Sequence, residues 1–311
     1  MSEVSYGVLL VAYGAPRSLE EVKPFLEDIR SGRPTPPELV AELEERYRAI
    51  GGGSPLLERT EAQAARLAHF LGDGTPVYVG MRHWHPYIRE ALEAVRKDGI
   101  KRLVVVAMAP HFSRMSIGAY QKKVEEASEG IEVAFVKQWY DHPRFLDGVA
   151  AKVAQTLERF PAARRTKPHI IFTAHSLPEK ILASGDPYPE QLRRSAEGVM
   201  ERVGDYPYSV AFQSAGQTQD RWLGPDAGEV MQHLAAQGHG EIVLCPIGFV
   251  ADHLEVLYDV DIEYQDLARK LGVRLERTPS LNDSPELIEA LADLVWTAAA
   301  ERGWIAPRPS R

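Results

Sequence analysis

In FTAHSLPEK, residues 172–180, an apolar run ends at Ala174 and gives way to a histidine and a Ser-Leu-Pro turn. The end of a buried strand is where α/β proteins place reactive groups. An imidazole there, His175, can accept a proton near neutral pH or coordinate a first-row metal ion. A second grouping is acidic. If DHLEVLYDVDIEYQD (252–266) is helical, Glu255, Asp259 and Glu263 fall at i, i+4 and i+8 and form one stripe, with Leu254, Leu257 and Tyr258 apolar beside it. Like charges at that spacing repel by about a few tenths of a kcal/mol per pair. The stripe is either a solvated acidic face or a column of hard oxygen ligands that passes a divalent metal ion inward. Glu255 follows the apolar run 241–247 by a few residues, which favours the second reading for that residue. The third grouping is basic and polar: Arg30 closes the pattern 19–30, Arg46 lies in ELEERYRAIGGGSPL, and Ser54 follows Gly51 to Gly53. Arginine's planar fork matches a carboxylate, and glycine-rich backbone can turn its amides toward an anion. Taken alone, this is also an ordinary glycine-rich connection. RHWHP (82–86) offers His83 and His85, a weak metal signal because a strand would send them to opposite faces.

These groups need a frame. The runs 7–12, 76–81, 102–108, 132–136, 169–174, 208–212 and 241–247 are continuously apolar, as parallel strands covered on both faces must be. Helical patterns lie between them, among others at 19–30, 37–49, 56–71, 86–98, 143–159, 187–203 and 284–302, with Pro and Gly at the junctions. Alternating strands and helices predict an α/β fold with parallel sheets and right-handed crossovers. The halves also resemble each other. LLVAYGAP (9–16) aligns with IIFTAHSLP (170–178), which sets Tyr13 opposite His175, and RLVVVAMAPHFS (102–113) answers EIVLCPIGFVAD (241–252). A duplicated unit is the expectation, with ligands at the carboxyl ends of the strands in a cleft between the halves. The expected division is 1–140, carrying a helical insertion at 17–75 that clasps the ligand, and 141–311, carrying His175 and Glu255, its last helix packing back on the first half.

Bulk properties narrow the function. A formal charge of −8 argues against nucleic acid as a partner. The single cysteine, Cys245, excludes an internal disulfide and a cysteine-ligated iron–sulfur cluster within one chain. No apolar run reaches the ~20 residues of a membrane span. The start MSEVSYGVLL carries no basic leader, so a cytoplasmic protein without integral membrane association is expected. The motifs G-x-G-x-x-G, Walker A and G-x-S-x-G are absent. The tail APRPSR (306–311) reads as disordered.

Taken together, LLVAYGAP, RYRAIGGGSPL, HFSRMSIGAY, FTAHSLPEK, FQSAGQ and DHLEVLYD resemble the ferrochelatase family, in the family's order and over nearly the whole chain. The likeness is greatest to the soluble coproporphyrin III enzymes of Gram-positive and related bacteria. FQSAGQ (212–217) lacks the arginine of the FQSRVG usual in protoporphyrin enzymes. The resemblance implies two similar Rossmann-like domains and insertion of ferrous iron, as substrate, into coproporphyrin III, with no tightly bound cofactor. It implies His175 and Glu255 as the catalytic pair, and His175, Glu255, Asp259 and Glu263 as the residues that handle the metal. Tyr13, Arg30, Arg46, Tyr47, Ser54 and Tyr120 correspond to porphyrin-binding positions. A downstream coproheme decarboxylase is the implied partner. With no iron–sulfur or membrane element in the sequence, a monomer is expected. Alternatives are a protoporphyrin IX ferrochelatase, a non-catalytic tetrapyrrole carrier, and a metal-dependent hydrolase using His83, His85 and the acidic stripe.

Overall fold

The computed structural model describes residues 6–72, 74–161, 167–216 and 218–307. Gln217 of the FQSAGQ motif and residues 308–311 of the tail lie outside the described residues. Two compact units make up the chain: Met1–Trp139 together with Asn282–Arg311, and Tyr140–Leu281.

In the first unit β1 (Gly7–Ala12) leads through a 3-10 turn (Leu19–Glu21) into helices α1 (Val22–Ile29), α2 (Pro37–Ala49) and α3 (Leu56–Leu71). Next come β2 (Val77–Met81), α4 (Ile88–Lys97), β3 (Arg102–Ala107), α5 (Ile117–Ala127) and β4 (Glu132–Val136). The four strands form one parallel sheet in the order β2-β1-β3-β4. Every residue of GVLLVA in β1 is buried, because both faces of a central parallel strand are covered. Helix α4 presents Ile88, Leu92 and Val95 from one face to a core that includes Leu9, Val11, Leu103 and Val105.

The second unit runs α6 (Pro143–Leu157), β5 (His169–His175), a 3-10 turn (Glu179–Ser184), α7 (Tyr188–Val203), β6 (Tyr208–Gln213), α8 (Ala227–Ala236) and β7 (Glu241–Cys245). It closes with a one-turn helix α9 (Leu254–Leu257), a π-helical turn (Asp259–Tyr264), α10 (Gln265–Leu271) and β8 (Arg274–Arg277). Its parallel sheet has the order β6-β5-β7-β8, the topology of the first sheet repeated. By position in the sheet β1 answers β5 and β3 answers β7, the pairs that the sequence similarity aligns. Among the described residues no helix is long and apolar enough to cross a membrane.

Helix α11 (Pro285–Glu301), with Leu287, Ile288, Leu291 and Val295 buried, groups by its contacts with the first unit. The sequence expectation places it in the stretch 141–311 and has it pack back on the first half. One feature departs from the sequence expectations. Strand β8 has no counterpart among the predicted strands. Its sequence RLER is four residues long with three charges, too short and too polar for periodicity to reveal.

Candidate active site

His175 is the last residue of β5, delivered by a strand whose Ile170, Ile171, Phe172 and Ala174 are fully buried. Its backbone is held from two sides. Tyr188, at the start of α7, donates its hydroxyl to the His175 carbonyl at 2.8 Å. The loop after β7 lies against the strand through a hydrogen bond from the Gly248 amide to the Thr173 carbonyl at 3.0 Å. A Cβ at Gly248 would meet the Ala174 Cβ at 2.4 Å, so only glycine allows that approach. The Trp222 ring stands edge-on to the imidazole with centroids 6.3 Å apart.

Glu255 meets His175 from α9. Its Oε2 lies 2.9 Å from the imidazole Nδ1, and each side chain is about one-third exposed (34% and 33%). His253, at the N-cap of α9, has Nδ1 3.0 Å from the Ala251 carbonyl and Nε2 3.8 Å from the same Glu255 oxygen. A relay of amides and hydroxyls sets this geometry: Thr173 Oγ1 donates to Gln213 Oε1 at 2.7 Å, and Gln213 Nε2 donates to the Glu255 carbonyl at 2.9 Å. β5, β6 and α9 are thereby tied at one point. Burial pushes the His175 imidazole down, but the charge and hydrogen bond of Glu255, with a smaller push from Asp259, outweigh it and leave its pKa above the ordinary value. Burial conversely pushes the Glu255 carboxyl up, yet His175 and His253 hold it well below the usual carboxylate range. With Nδ1–H donated to a carboxylate, the lone pair on Nε2 is free for a proton or a metal ion.

The acidic stripe is not one continuous α-helix. After α9 the backbone widens, and the Glu263 amide bonds back five residues to the Tyr258 carbonyl at 3.0 Å, which it shares with the Ile262 amide. Such π turns are rare and recur at functional sites. They leave no mark in a hydrophobic pattern, so a regular i+4 spacing was the natural expectation. Asp259 is buried and accepts a short hydrogen bond from the Ser214 hydroxyl, whereas Glu263 is exposed. Ser214 itself has φ +59°, a left-handed conformation uncommon outside glycine and typical of strained functional positions. Among the described residues no three His, Cys, Asp or Glu side chains are grouped to hold a metal ion. His175 and Glu255 are therefore a pair, and Asp259 and Glu263 stand further along the chain, rather than the four forming one cage.

In the first unit Tyr13 follows β1 as His175 ends β5. The residue is 41% exposed, and its ring lies 4.8 Å, centroid to centroid, from that of His83. β2 stops at Met81, so RHWHP is a loop and not a strand. His83 Nδ1 lies 2.8 Å from Asp28 Oδ2, and His85 Nδ1 lies 3.0 Å from Glu90 Oε2. The two histidines thus serve different carboxylates, which removes the basis for a shared metal in a hydrolase. Burial lowers the His83 pKa, with Asp28 opposing and Arg82 assisting.

Arg30 caps α1 and donates through Nη2 to the Pro34 carbonyl at 3.3 Å, while its buried Nε has no hydrogen-bond partner, an orphan donor that a bound anion would satisfy. The Arg46 guanidinium is 3.0 Å from Glu42 on its own helix. Tyr47, Ser54 and Tyr120 are buried, and the Arg82 guanidinium lies 5.9 Å from the Tyr120 ring centre. The Ser54 amide bonds the Pro16 carbonyl at 2.8 Å, and a Cβ at neighbouring Gly53 would strike the Arg17 carbonyl oxygen at 2.0 Å. Gly53 is thus required by a close backbone approach, whereas Gly51 and Gly52, with φ of +109° and +98°, are favoured by their left-handed backbone. Sequence reasoning missed Asp28, Gln213, Ser214, Tyr188 and His253 as parts of these arrangements. Only Gln213, Ser214 and His253 carried any signal, as members of FQSAGQ and DHLEVLYD.

A profile of the ferrochelatase family matches residues 5–299. A ferrochelatase of Herpetosiphon aurantiacus is 41% identical over 296 residues, covering 93% of this chain and 97% of that protein. A coproporphyrin III ferrochelatase of Bacillus subtilis is 41% identical over 304 residues, covering 95% and 98%. Among solved structures, SirB from Bacillus subtilis with Fe3+ gives a TM-score of 0.59 at 13% identity, with 96% of this chain and 97% of that one covered. CbiX, the terminal enzyme for biosynthesis of siroheme in denitrifying bacteria, gives 0.58 at 14%, with 94% and 99% covered. At such identities these two speak for the fold alone, a pair of parallel sheets flanked by helices in two Rossmann-like domains. Matched along nearly its whole length by the profile and by relatives at about 40% identity, the chain belongs to the ferrochelatase family of metal chelatases.

Proposed function

We propose that this chelatase inserts ferrous iron into coproporphyrin III to give Fe-coproporphyrin III, coproheme, on the way to haem. In this reading His175 is the base, Glu255 its partner, and Tyr13, Arg30, Arg46, Tyr47, Ser54 and Tyr120 bind the porphyrin. The observation that carries the site is the contact of 2.9 Å between His175 Nδ1 and Glu255. The reaction exchanges two pyrrole protons for one Fe2+. The imidazole accepts a proton at Nε2 while the carboxylate keeps the Nδ1 proton in place and stabilises the imidazolium. Because His175 is one-third exposed, it returns each proton to solvent before taking the next. Asp259 and Glu263 supply further oxygen donors as the iron sheds water, with exposed Glu263 outermost and buried Asp259 nearer Glu255. Iron is the substrate here, and the enzyme works as a monomer in the cytoplasm without a resident cofactor, passing coproheme to a decarboxylase.

The choice of porphyrin is supported by relatives of about 40% identity named coproporphyrin III ferrochelatase, from Bacillus subtilis and Geobacillus kaustophilus among others. The Herpetosiphon relative bears the broader name, and protoporphyrin IX is the competing substrate. Four propionates on coproporphyrin suit a site provided with Arg30, Arg46 and hydroxyls. The deciding experiment is anaerobic metallation with Fe2+, comparing kcat/KM for coproporphyrin III and protoporphyrin IX. A preference of at least about tenfold for coproporphyrin III is expected, since carboxylate-binding groups left unpaired penalise the smaller set. Equal values, or a preference for protoporphyrin IX, would overturn it. His175→Ala should bind coproporphyrin as the parent does and lose about 10²–10⁴-fold in kcat.

A further inference from the structure

Arg277 is the last residue of β8, 22 residues beyond Glu255, and its side chain is only 16% exposed. Its guanidinium is engaged on every nitrogen. Nε and Nη2 donate to the two oxygens of Asp261, at 2.6 and 2.9 Å, a bidentate fork. Nη1 donates to the Thr278 carbonyl at 3.0 Å and lies 3.7 Å from Asp252 Oδ1. Asp252 is in turn held by the Ser280 hydroxyl at 2.7 Å. One cation therefore grips the chain on both sides of Glu255 and Asp259: Asp252 precedes α9, and Asp261 lies inside the π turn.

The position matters because the π turn is a costly conformation that persists only where its surroundings over-determine it. The i+5 bond at Glu263 is one support, and Gln265 Nε2, which donates to the Leu275 carbonyl of β8 at 3.2 Å, is another. The Tyr264 hydroxyl, donating to Asp226 at 3.3 Å, and the Ser214 hydroxyl, donating to Asp259, are further ones, each a single hydrogen bond. A part-buried bidentate ion pair is the strongest of these, and removing the guanidinium would leave Asp252 and Asp261 as uncompensated carboxylates in a half-buried segment that already holds Glu255 and Asp259.

We infer that Arg277 is a positioning residue for metal insertion: by clamping Asp252 and Asp261 it holds the π turn open and so sets Glu255 against His175 and Asp259 beside Ser214. It touches neither substrate. The inference rests on the assignment of Glu255 and Asp259 to the handling of iron, and it makes a prediction that a purely structural ion pair would not. Loss of the clamp should raise KM for Fe2+ and leave binding of the porphyrin unchanged, since the porphyrin-binding residues named above lie in the other compact unit.

The test compares the parent with Arg277→Lys, Arg277→Ala and Asp261→Asn, the last a mild change that keeps the shape of the pair. Two measurements are made on each. The first is steady-state metallation of coproporphyrin III with both substrates varied; the second is hydrogen exchange at the amides of residues 258–264 against those of β5 and β7. The expectation for Arg277→Ala and Asp261→Asn is a rise of at least tenfold in KM for Fe2+, less than twofold change in KM for porphyrin, and exchange at least tenfold faster in the π turn alone. Arg277→Lys, which keeps the charge and loses the fork, should fall between. If the π-turn amides exchange as in the parent, or if both KM values move together, the clamp is not a positioning device. A parent that fails to metallate any porphyrin would refute the functional assignment instead, and the exchange measurement would still decide the clamp. Should Arg277→Ala not fold, Asp261→Asn carries both readouts.

Discussion

The imidazole of His175 is governed by opposing influences. Burial favours its neutral form, and Glu255 favours the imidazolium more strongly. As a base it must start neutral, so activity should rise with pH through the His175 pKa, which places the acid limb of kcat/KM above the ordinary imidazole value of about 6.5. Glu255→Gln removes the influence that raises it and leaves burial in control. The acid limb should then move to lower pH while kcat at its plateau falls, because the imidazolium loses its partner. A pH–rate profile of both proteins checks this, and an unmoved limb would mean that His175 is not the titrating base. The same signs apply to stability. His175 contributes stability below its unfolded pKa and loses it as pH rises through the raised folded one. Glu255 contributes above the usual carboxylate range and loses its share as pH falls toward its depressed value. The pair is therefore most stabilising at mildly acidic pH, between the two.

The ends of strands, more than the strands themselves, carry the site. β5 delivers His175, β6 ends at Gln213 with Ser214 next after it, and the loop after β7 runs into α9 with Glu255. Gly248 lets that loop lie on β5, at a point where the space for even one methyl is missing. Gly248→Ala should therefore cost about 1–3 kcal/mol, the usual penalty for overpacking a core. It should also lower kcat by shifting the His175 backbone away from Glu255. Thermal unfolding together with kcat measures both, and an unchanged Tm would show that the loop yields freely. The π turn between α9 and α10 is another product of packing. Its sequence would serve an α-helix equally well, and the contacts of Asp261, Tyr264 and Gln265 with Arg277, Asp226 and Leu275 select the wider path.

Taken whole, the chain is built of two units of one topology, with the last helix returning to the first. Leu287, Ile288, Leu291 and Val295 of α11 are buried, and such side chains contribute about 1.5–3 kcal/mol each when fully removed from water. A truncation after Leu281 should consequently weaken the first unit and spare the second. Hydrogen exchange by mass spectrometry should find β1 and β3 amides losing protection while β5 and β7 keep theirs. Equal loss in both sheets would contradict the division.

Much of this was legible before any coordinates. Buried parallel strands read as unbroken apolar runs because water is excluded from both faces, so seven of the eight strands stand out, and His175 and Tyr13 are seen to follow matching ones. The motifs are long enough to reveal the family, and one cysteine in the whole chain limits the chemistry outright. What periodicity reports is burial along a segment, and it is silent about which distant segments meet. His175 and Glu255 are 80 residues apart, and Asp28 and His83 are 55 apart. Polar pairs like these leave no repeating pattern, since their partners are chosen by the crossovers of the sheet. The same holds for the charged strand β8 and the widened turn at Asp259, which exist only because tertiary contacts outweigh local preference.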